Sequence, residues 1–178
     1  MEHSLEEMYA AVREITRTPD DWEAVVAAVG SAVRRSLPTA DEVMRVIPAE
    51  DRDGCDRSLV LHVEPDGSFS VVALVSARGQ ATSIHDHTTW CVVGLVAGTE
   101  YEERFRLDEG GQALELTGTR VDLAGAVSGF APPGDIHRVT NPETEVAISL
   151  HIYGTDISRI GSSVRRTYQL PIVTGMLR

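Results

Sequence analysis

The sequence predicts an all-β barrel or sandwich preceded by a short helical segment. Up to residue 48, apolar side chains recur at helical spacing, whereas from residue 57 onward short apolar stretches alternate with turns rich in glycine and proline. The chain of 178 residues is long enough to bury one sizeable core. We therefore expect one structural domain, with helices in residues 1–48 packed on a barrel with a C-terminal extension in residues 49–178.

Three helices are expected before the barrel. The first is predicted over residues 4–17 from the spacing of its apolar residues. Asp20 or Asp21 can cap a second helix, which ends before Pro38. A short third helix ends before Pro48.

Many short strands are expected after the helices. Residues 58–77 indicate two strands around a turn at residues 64–67, and residues 83–98 indicate the next. Residues 145–154 alternate apolar and polar side chains and predict a late strand. The tail, residues 156–172, shows no clear period and is predicted to be irregular.

Composition and charge exclude several classes of partner. The formal net charge of −11 argues against nucleic acid or an anionic membrane surface, because both require a positive face. No apolar run reaches the roughly 18–20 residues of a membrane span. The acidic N-terminal stretch lacks the pattern of a signal peptide, and Cys55 and Cys91 are too few for a disulfide framework. A reduced, cytoplasmic setting is expected.

Three histidines mark the candidate site. His85 and His87 are two residues apart, so on a strand both imidazoles leave the same face and form half of a site for a first-row metal. His137 follows in a second turn-then-strand pattern at residues 134–141. A lone HxH pair is more often satisfied by neighbours, but the second pattern favours a metal. Asp86 should face the other side of its strand.

Together, the two patterns resemble the two sequence motifs of the cupin superfamily. The first runs from Gly79 through the HxH pair to Gly98, and the second covers residues 132–137 and Asn141. In most cupins the position of Cys91 is a glutamate that ligates the metal. The resemblance implies a cupin fold, which is a double-stranded β-helix or jelly-roll barrel.

With Cys91 in place of the acidic ligand, the sequence resembles the cysteine dioxygenase-type thiol dioxygenases from about residue 56 to residue 171. The bacterial cysteine and 3-mercaptopropionate dioxygenases are of this type. The resemblance implies Fe(2+) held by His85, His87 and His137. It implies O₂ and a small thiol carboxylate as substrates, with both oxygen atoms added to sulfur to give a sulfinic acid. Family members are often monomers or weak homo-oligomers.

The same resemblance assigns further residues. Ser149, His151 and Tyr153 alternate along one strand and would share a face. Tyr153 is implied to hydrogen-bond oxygen or the substrate's head group, with His151 orienting it and Ser149 behind. Cys91 is implied beside the iron, where the aligned cysteine of animal-type enzymes can form a thioether with the tyrosine. Whether Cys91 crosslinks, stays free or only packs is open, and Trp90 is either a core residue or a pocket wall.

The substrate's carboxylate calls for an arginine, which can bind it through two parallel hydrogen bonds. Arg166 resembles the late arginine of the 3-mercaptopropionate type, and Arg57 resembles the early arginine of cysteine-specific members. Counting back from His85 without gaps puts Ser58 at that early position, and a slip of one residue reverses the face of a strand. Both arginines are candidate substrate-binding residues.

Two other functions stay open. One is a cupin metalloenzyme of another reaction type, including a zinc enzyme with Cys91 as a ligand. The other is a non-catalytic cupin that senses thiols or metals. The set of Ser149, His151 and Tyr153 argues against a sensor, which needs no hydroxyl group to handle oxygen.

Overall fold

The computed structural model describes residues 3–18, 21–51, 57–143 and 145–173. Three helices come first, and two β-sheets follow. The helices are α1 (His3–Thr16), α2 (Trp22–Ser36), α3 (Ala40–Val46) and, late in the chain, α4 (Ile157–Ile160). The strands are β1 (Arg57–Val63), β2 (Ser70–Ser76), β3 (Ile84–His87), β4 (Cys91–Ala97), β5 (Thr99–Leu107), β6 (Leu114–Leu123), β7 (Val127–Phe130), β8 (His137–Thr140), β9 (Ala147–Tyr153), β10 (Val164–Tyr168) and β11 (Ile172–Val173).

The helices begin at side chains that cap them. The Asp21 carboxylate accepts a hydrogen bond from the backbone N–H of Ala24 at 2.9 Å, which confirms one of the two predicted caps. Asp20, the other candidate, lies outside the described residues. Thr39 and Glu42 form a reciprocal capping box at the start of α3. Among the described helices, none is long and apolar enough to cross a membrane.

Two sheets form the barrel that the sequence predicts. The first has five strands in the order β1-β2-β9-β4-β7, and the second has six in the order β10-β3-β8-β5-β6-β11. The strands pair antiparallel throughout, apart from the parallel pair of β6 and β11. Residues from both sheets line one cavity between them.

The N-terminal helices cover the outer face of the five-stranded sheet. Along β9, Leu150 and Ile152 are fully buried in one apolar cluster with Met8 of α1 and Val33 of α2. A Cβ at Gly94 of β4 would collide with Leu37, so glycine allows this close approach. Because side chains alternate along a strand, the other face of β9 is left for the cavity.

The tail is more ordered than the sequence predicted. Residues 156–172 contain α4 and β10, and β10 pairs antiparallel with β3. Most side chains of β10 are exposed, so its sequence carries no alternation of apolar and polar residues. The strand forms because β3 offers it a hydrogen-bonding edge, which is a tertiary cause that local sequence does not reveal.

Candidate metal centre

The three predicted ligands meet in the cavity. His85 and His87 lie on β3, and His137 opens β8, where it is the direct cross-strand neighbour of His85. All three are buried, with 4–6% of their surface exposed. One ligand atom from each lies within 4.8 Å of the others. The structure thus assembles histidines that are up to 52 residues apart in sequence from β3 and β8 of a single sheet.

Each imidazole is oriented by an acceptor at Nδ1. The Nδ1–H of His85 donates to the carbonyl oxygen of Ser83 at 2.8 Å. Those of His87 and His137 donate to Asp135 Oδ2 and Glu102 Oε1, both at 2.9 Å. Carbonyl and carboxylate oxygens only accept hydrogen bonds, so each Nδ1 carries the proton and each Nε2 keeps its lone pair.

The resulting donor set fits a divalent metal ion. The Nε2 atoms of His85 and His87 are 3.1 Å apart, and with both Nδ1 atoms protonated their lone pairs face each other. A cation between them removes that repulsion. Burial lowers the pKa of His85 to about 4 and also lowers the pKa of His87, so both imidazoles are neutral near pH 7. Neutral imidazoles suit iron, zinc, copper and nickel, so the geometry alone does not select the metal.

Sequence reasoning missed the two carboxylates behind the ligands. Burial opposes ionisation of Glu102, yet the hydrogen bond from His137 and the charges of Arg104 and Arg120 hold its pKa at about 2. Burial likewise opposes ionisation of Asp135, but the hydrogen bond from His87 lowers its pKa. Both therefore stay ionised and place negative charge directly behind His87 and His137, which raises the basicity of the imidazoles.

Asp86 turns away from the ligands, as its place in the HxH motif predicted. On the outer face of β3, its Oδ2 accepts hydrogen bonds from Arg166 Nη2 at 2.6 Å and from the Tyr168 hydroxyl at 2.9 Å. Arg166 sits directly opposite Asp86 in the pairing of β10 with β3, and 53% of its side chain is exposed. The structure therefore does not bring Arg166 to the cavity, because the register of β10 directs it to the same side as Asp86.

The cavity beside the histidines has a volume of about 280 Å³. Arg57 and Ser58, the two alternative positions for the carboxylate-binding residue, both line it. Phe130 also lines it and packs against the His87 ring, with 4.3 Å between ring centroids. Imidazoles, the rings of Phe130 and Tyr153, the carboxyl group of Glu100 and the guanidinium of Arg57 thus bound the space, and Arg57 offers a positive charge to a small anionic molecule.

Ser149, His151 and Tyr153 form the chain of hydrogen bonds that their alternation predicted. The Tyr153 hydroxyl lies 3.2 Å from His151 Nδ1, and His151 Nε2 lies 3.1 Å from Ser149 Oγ. Burial lowers the pKa of His151 to about 3, and burial raises the pKa of Tyr153 above its usual value. Both rings are neutral at physiological pH, so the chain consists of neutral hydrogen-bonding groups.

Cys91 lies beside this chain and outside the metal-binding group. It is the direct cross-strand neighbour of Tyr153, and its Sγ is 3.9 Å from His151 Nδ1. The side chain is completely buried, which raises the pKa of the thiol and keeps it protonated. Trp90 belongs to the apolar core under the helices and packs on Gly154, where a Cβ would strike the indole ring. Cys55 lies outside the described residues.

Glu100 on β5 is a third acidic residue that sequence reasoning missed. Its side chain lines the cavity beside the three histidines. Burial raises its pKa. The only local signal is that Glu100 and Glu102 share a face of β5, and alternating charges along a strand resemble a solvated surface.

Three buried histidines inside a double-sheet barrel define a cupin with a candidate metal site. The family model described as cysteine dioxygenase type I matches residues 16–166, and the chain belongs to this family. The sequence-based assignment to a cysteine dioxygenase-like cupin is therefore confirmed, and with it the class of enzyme, a dioxygenase.

Solved structures with a similar fold are distant in sequence. A cupin 2 conserved barrel domain protein from Salinispora arenicola is 22% identical, with 62% of this chain and 86% of that chain covered, at a TM-score of 0.44. An oxalate oxidase solved with the substrate analogue glycolate is 18% identical, with 64% and 57% covered, at a TM-score of 0.48. A cupin superfamily protein from Desulfitobacterium hafniense is 15% identical, with 62% and 84% covered, at a TM-score of 0.44. Because their sequence identities are 22% or lower and their TM-scores are below 0.5, these three structures are not used to assign an activity.

Proposed function

We propose that this protein is an Fe(II)-dependent thiol dioxygenase that acts on a small thiol carboxylate, either L-cysteine or 3-mercaptopropionate. The observation that carries the proposal is the set of three buried histidines His85, His87 and His137, in a chain of the cysteine dioxygenase family. The cupin position that usually supplies a carboxylate ligand holds Cys91, whose buried thiol stays protonated. A substrate that binds as a thiolate supplies the missing negative charge.

The metal supplies the redox chemistry, and the protein supplies the binding and orientation. Fe(II) at the three imidazoles would bring O₂ and the thiolate together for transfer of both oxygen atoms to sulfur. Asp135 and Glu102 fix the ring orientations of His87 and His137 through the Nδ1 hydrogen bonds. Phe130 packs against His87 and places an apolar ring on that side of the cavity.

We assign the substrate's carboxylate to Arg57. Arg57 lines the same cavity as the histidines, whereas Arg166 is held by Asp86 on the outer face of β3. A guanidinium can donate two parallel hydrogen bonds to a carboxylate, which fixes the orientation of the substrate as well as its position. The Tyr153 hydroxyl lines the cavity too, where it can hydrogen-bond oxygen or the substrate's head group.

The test is oxygen consumption by the iron-loaded protein with each thiol offered separately. We expect oxygen uptake with L-cysteine, with 3-mercaptopropionate or with both, and a matching amount of sulfinate. Absence of uptake with every small thiol carboxylate would overturn the proposal. Purified protein that holds stoichiometric zinc, manganese or nickel and is inactive with iron would favour a cupin enzyme of another reaction type. Tight binding of a thiol without turnover would favour a sensor. The cytoplasmic location and the monomeric or weakly associated state stay predictions.

A further inference from the structure

The cavity beside the three histidines contains two side chains that can carry opposite charges. Among the described residues that line it, Arg57 is the only arginine or lysine, and Glu100 is the only aspartate or glutamate. Arg57 lies on β1 of the five-stranded sheet, whereas Glu100 lies on β5 of the six-stranded sheet. The two side chains therefore reach the same cavity from opposite sheets. The proposed function uses Arg57 and gives no role to Glu100.

The other two glutamates near Glu100 on β5 have partners that explain them. Glu102, on the same face of the strand, accepts the hydrogen bond from the ligand His137 at 2.9 Å. Glu103, on the opposite face, pairs with Arg138 at 2.6 Å. Within the described part of the chain, no arginine, lysine or histidine forms an ion pair with Glu100. Its carboxyl group is thus placed at the cavity without a structural cation to hold it.

The surroundings of Glu100 favour a cation in the cavity. Burial raises the pKa of the Glu100 carboxyl group, and the negative charges of Asp122 and Glu102 act in the same direction. Asp122 is the direct cross-strand neighbour of Glu100 on β6. An ionised carboxylate at this position is costly unless a positive charge lies close to it. A protonated amino group of a ligand supplies that charge, and the carboxylate in turn stabilises the amino group.

The two candidate substrates differ in this one charged group. L-cysteine carries an ammonium group next to its carboxylate, whereas 3-mercaptopropionate has the same chain of carbon and sulfur atoms without the amino group. Bound as a thiolate, 3-mercaptopropionate brings two negative charges into a cavity that already contains Glu100. L-cysteine brings the same two negative charges together with a positive one. The pair of Arg57 and Glu100 therefore matches a small zwitterionic amino acid.

We propose that Glu100 binds the ammonium group of the substrate and thereby selects L-cysteine over 3-mercaptopropionate. The inference rests on the proposed function, because both ligands are taken from it. Arg57 holds the carboxylate, Glu100 holds the ammonium group, and the sulfur is left to face the three histidines. Glu100 is a specificity-determining residue and takes no part in the transfer of oxygen.

Calorimetric titration of the iron-loaded protein in the absence of O₂ tests this selectivity, because binding is then measured without turnover. The probes are L-cysteine and 3-mercaptopropionate, each added separately to the wild type and to Glu100→Gln. We expect the wild type to bind L-cysteine about 10–100-fold more tightly, because its ammonium group gains a charge-assisted hydrogen bond. Glu100→Gln should weaken L-cysteine by about the same factor. The variant should not weaken 3-mercaptopropionate, because glutamine removes a negative charge that repels this ligand.

Glu103→Gln is the matched control, because its side chain lies on the other face of β5 and pairs with Arg138. This variant should bind both thiols like the wild type. A wild type that binds 3-mercaptopropionate at least as tightly as L-cysteine would overturn the proposal. Equal weakening of both ligands in Glu100→Gln would also overturn it, because a residue that only supports the cavity or Arg57 does not distinguish the two thiols.

Oxygen uptake separates this proposal from the proposed function. Selective binding of L-cysteine that depends on Glu100, without oxygen uptake, would contradict the proposed function alone. Oxygen uptake with equal kcat/KM for the two thiols, unchanged in Glu100→Gln, would contradict the role of Glu100 alone.

Discussion

At the scale of single residues, the site depends on acceptors that stand behind its ligands. Asp135 holds His87 through Nδ1 and also accepts from the His87 backbone N–H, both at 2.9 Å. Glu102 holds His137 through Nδ1 at 2.9 Å. Their partners are 48 and 35 residues away in sequence, so motif spacing could place the ligands but not these acceptors.

The first prediction concerns Asp135. Replacing Asp135 by Ala removes the acceptor that fixes the His87 ring and should weaken iron binding about 10–100-fold. Competition with a chelator measures this affinity. Asp66→Ala, in the turn between β1 and β2, is the control and should bind iron like the wild type. An Asp135→Ala protein with unchanged affinity would show that the hydrogen bond from His87 to Asp135 does not contribute to iron binding.

The second prediction separates the two arginines. Arg57→Leu should raise KM for a thiol carboxylate about 10–100-fold, because a charge-assisted contact to the carboxylate is lost. Arg57→Lys should raise KM less, since lysine keeps the positive charge but cannot donate two parallel hydrogen bonds to the carboxylate. Arg166→Leu should leave KM unchanged, because Arg166 pairs with Asp86 on the outer face. A larger increase of KM in Arg166→Leu than in Arg57→Leu, measured by steady-state kinetics, would assign the substrate's carboxylate to Arg166.

At the scale of elements, the barrel keeps its two faces separate. On β9 the even-numbered residues Leu150 and Ile152 pack against the helices. The odd-numbered residues Ser149, His151 and Tyr153 form the chain of hydrogen bonds beside the metal centre. This alternation was readable from sequence, as were the HxH strand and the helix caps. The strand β10 was not, because its pairing with β3 is a tertiary contact and its own side chains carry no period.

A third prediction tests this separation. Met8 of α1 is completely buried in the apolar core on the outer face of the five-stranded sheet. Met8→Ala should lower the free energy of unfolding by about 2–5 kcal/mol through the lost burial and the cavity that remains. The kcat of the folded protein should not change, because no described residue of α1, α2 or α3 lines the cavity beside the histidines.

Urea denaturation and activity below the unfolding transition measure the two effects. Val46→Ala is the control, since the Val46 side chain is 41% exposed and should lose far less stability. A large loss of kcat in folded Met8→Ala protein would show that the helices control the cavity.

At the scale of the whole molecule, folding keeps polar rings neutral inside an acidic protein. His151 has a pKa of about 3 in the folded state, against 6.5 for an unperturbed histidine. Between these values the unfolded chain binds a proton that the folded chain excludes, so stability falls as the pH falls. The difference corresponds to about 5 kcal/mol at most, and it is fully present above pH 6.5.

The fourth prediction follows from this linkage. The free energy of unfolding of the metal-free protein should decrease steadily from about pH 6.5 toward acid. In His151→Gln the free energy of unfolding should depend less steeply on pH over this interval. The slope should correspond to about one fewer proton taken up on unfolding, because glutamine does not titrate. Urea denaturation at a series of pH values measures the slopes. Equal slopes for both proteins would mean that His151 is protonated in the folded state.

The central proposal is that the three-histidine site directs both atoms of O₂ to the sulfur of a small thiol carboxylate. The most direct measurement is mass spectrometry of the product formed by the iron-loaded protein under ¹⁸O₂. We predict a sulfinic acid in which both sulfinate oxygens carry the label. A product with one labelled oxygen, a disulfide in place of the sulfinate, or no oxidised product would contradict it.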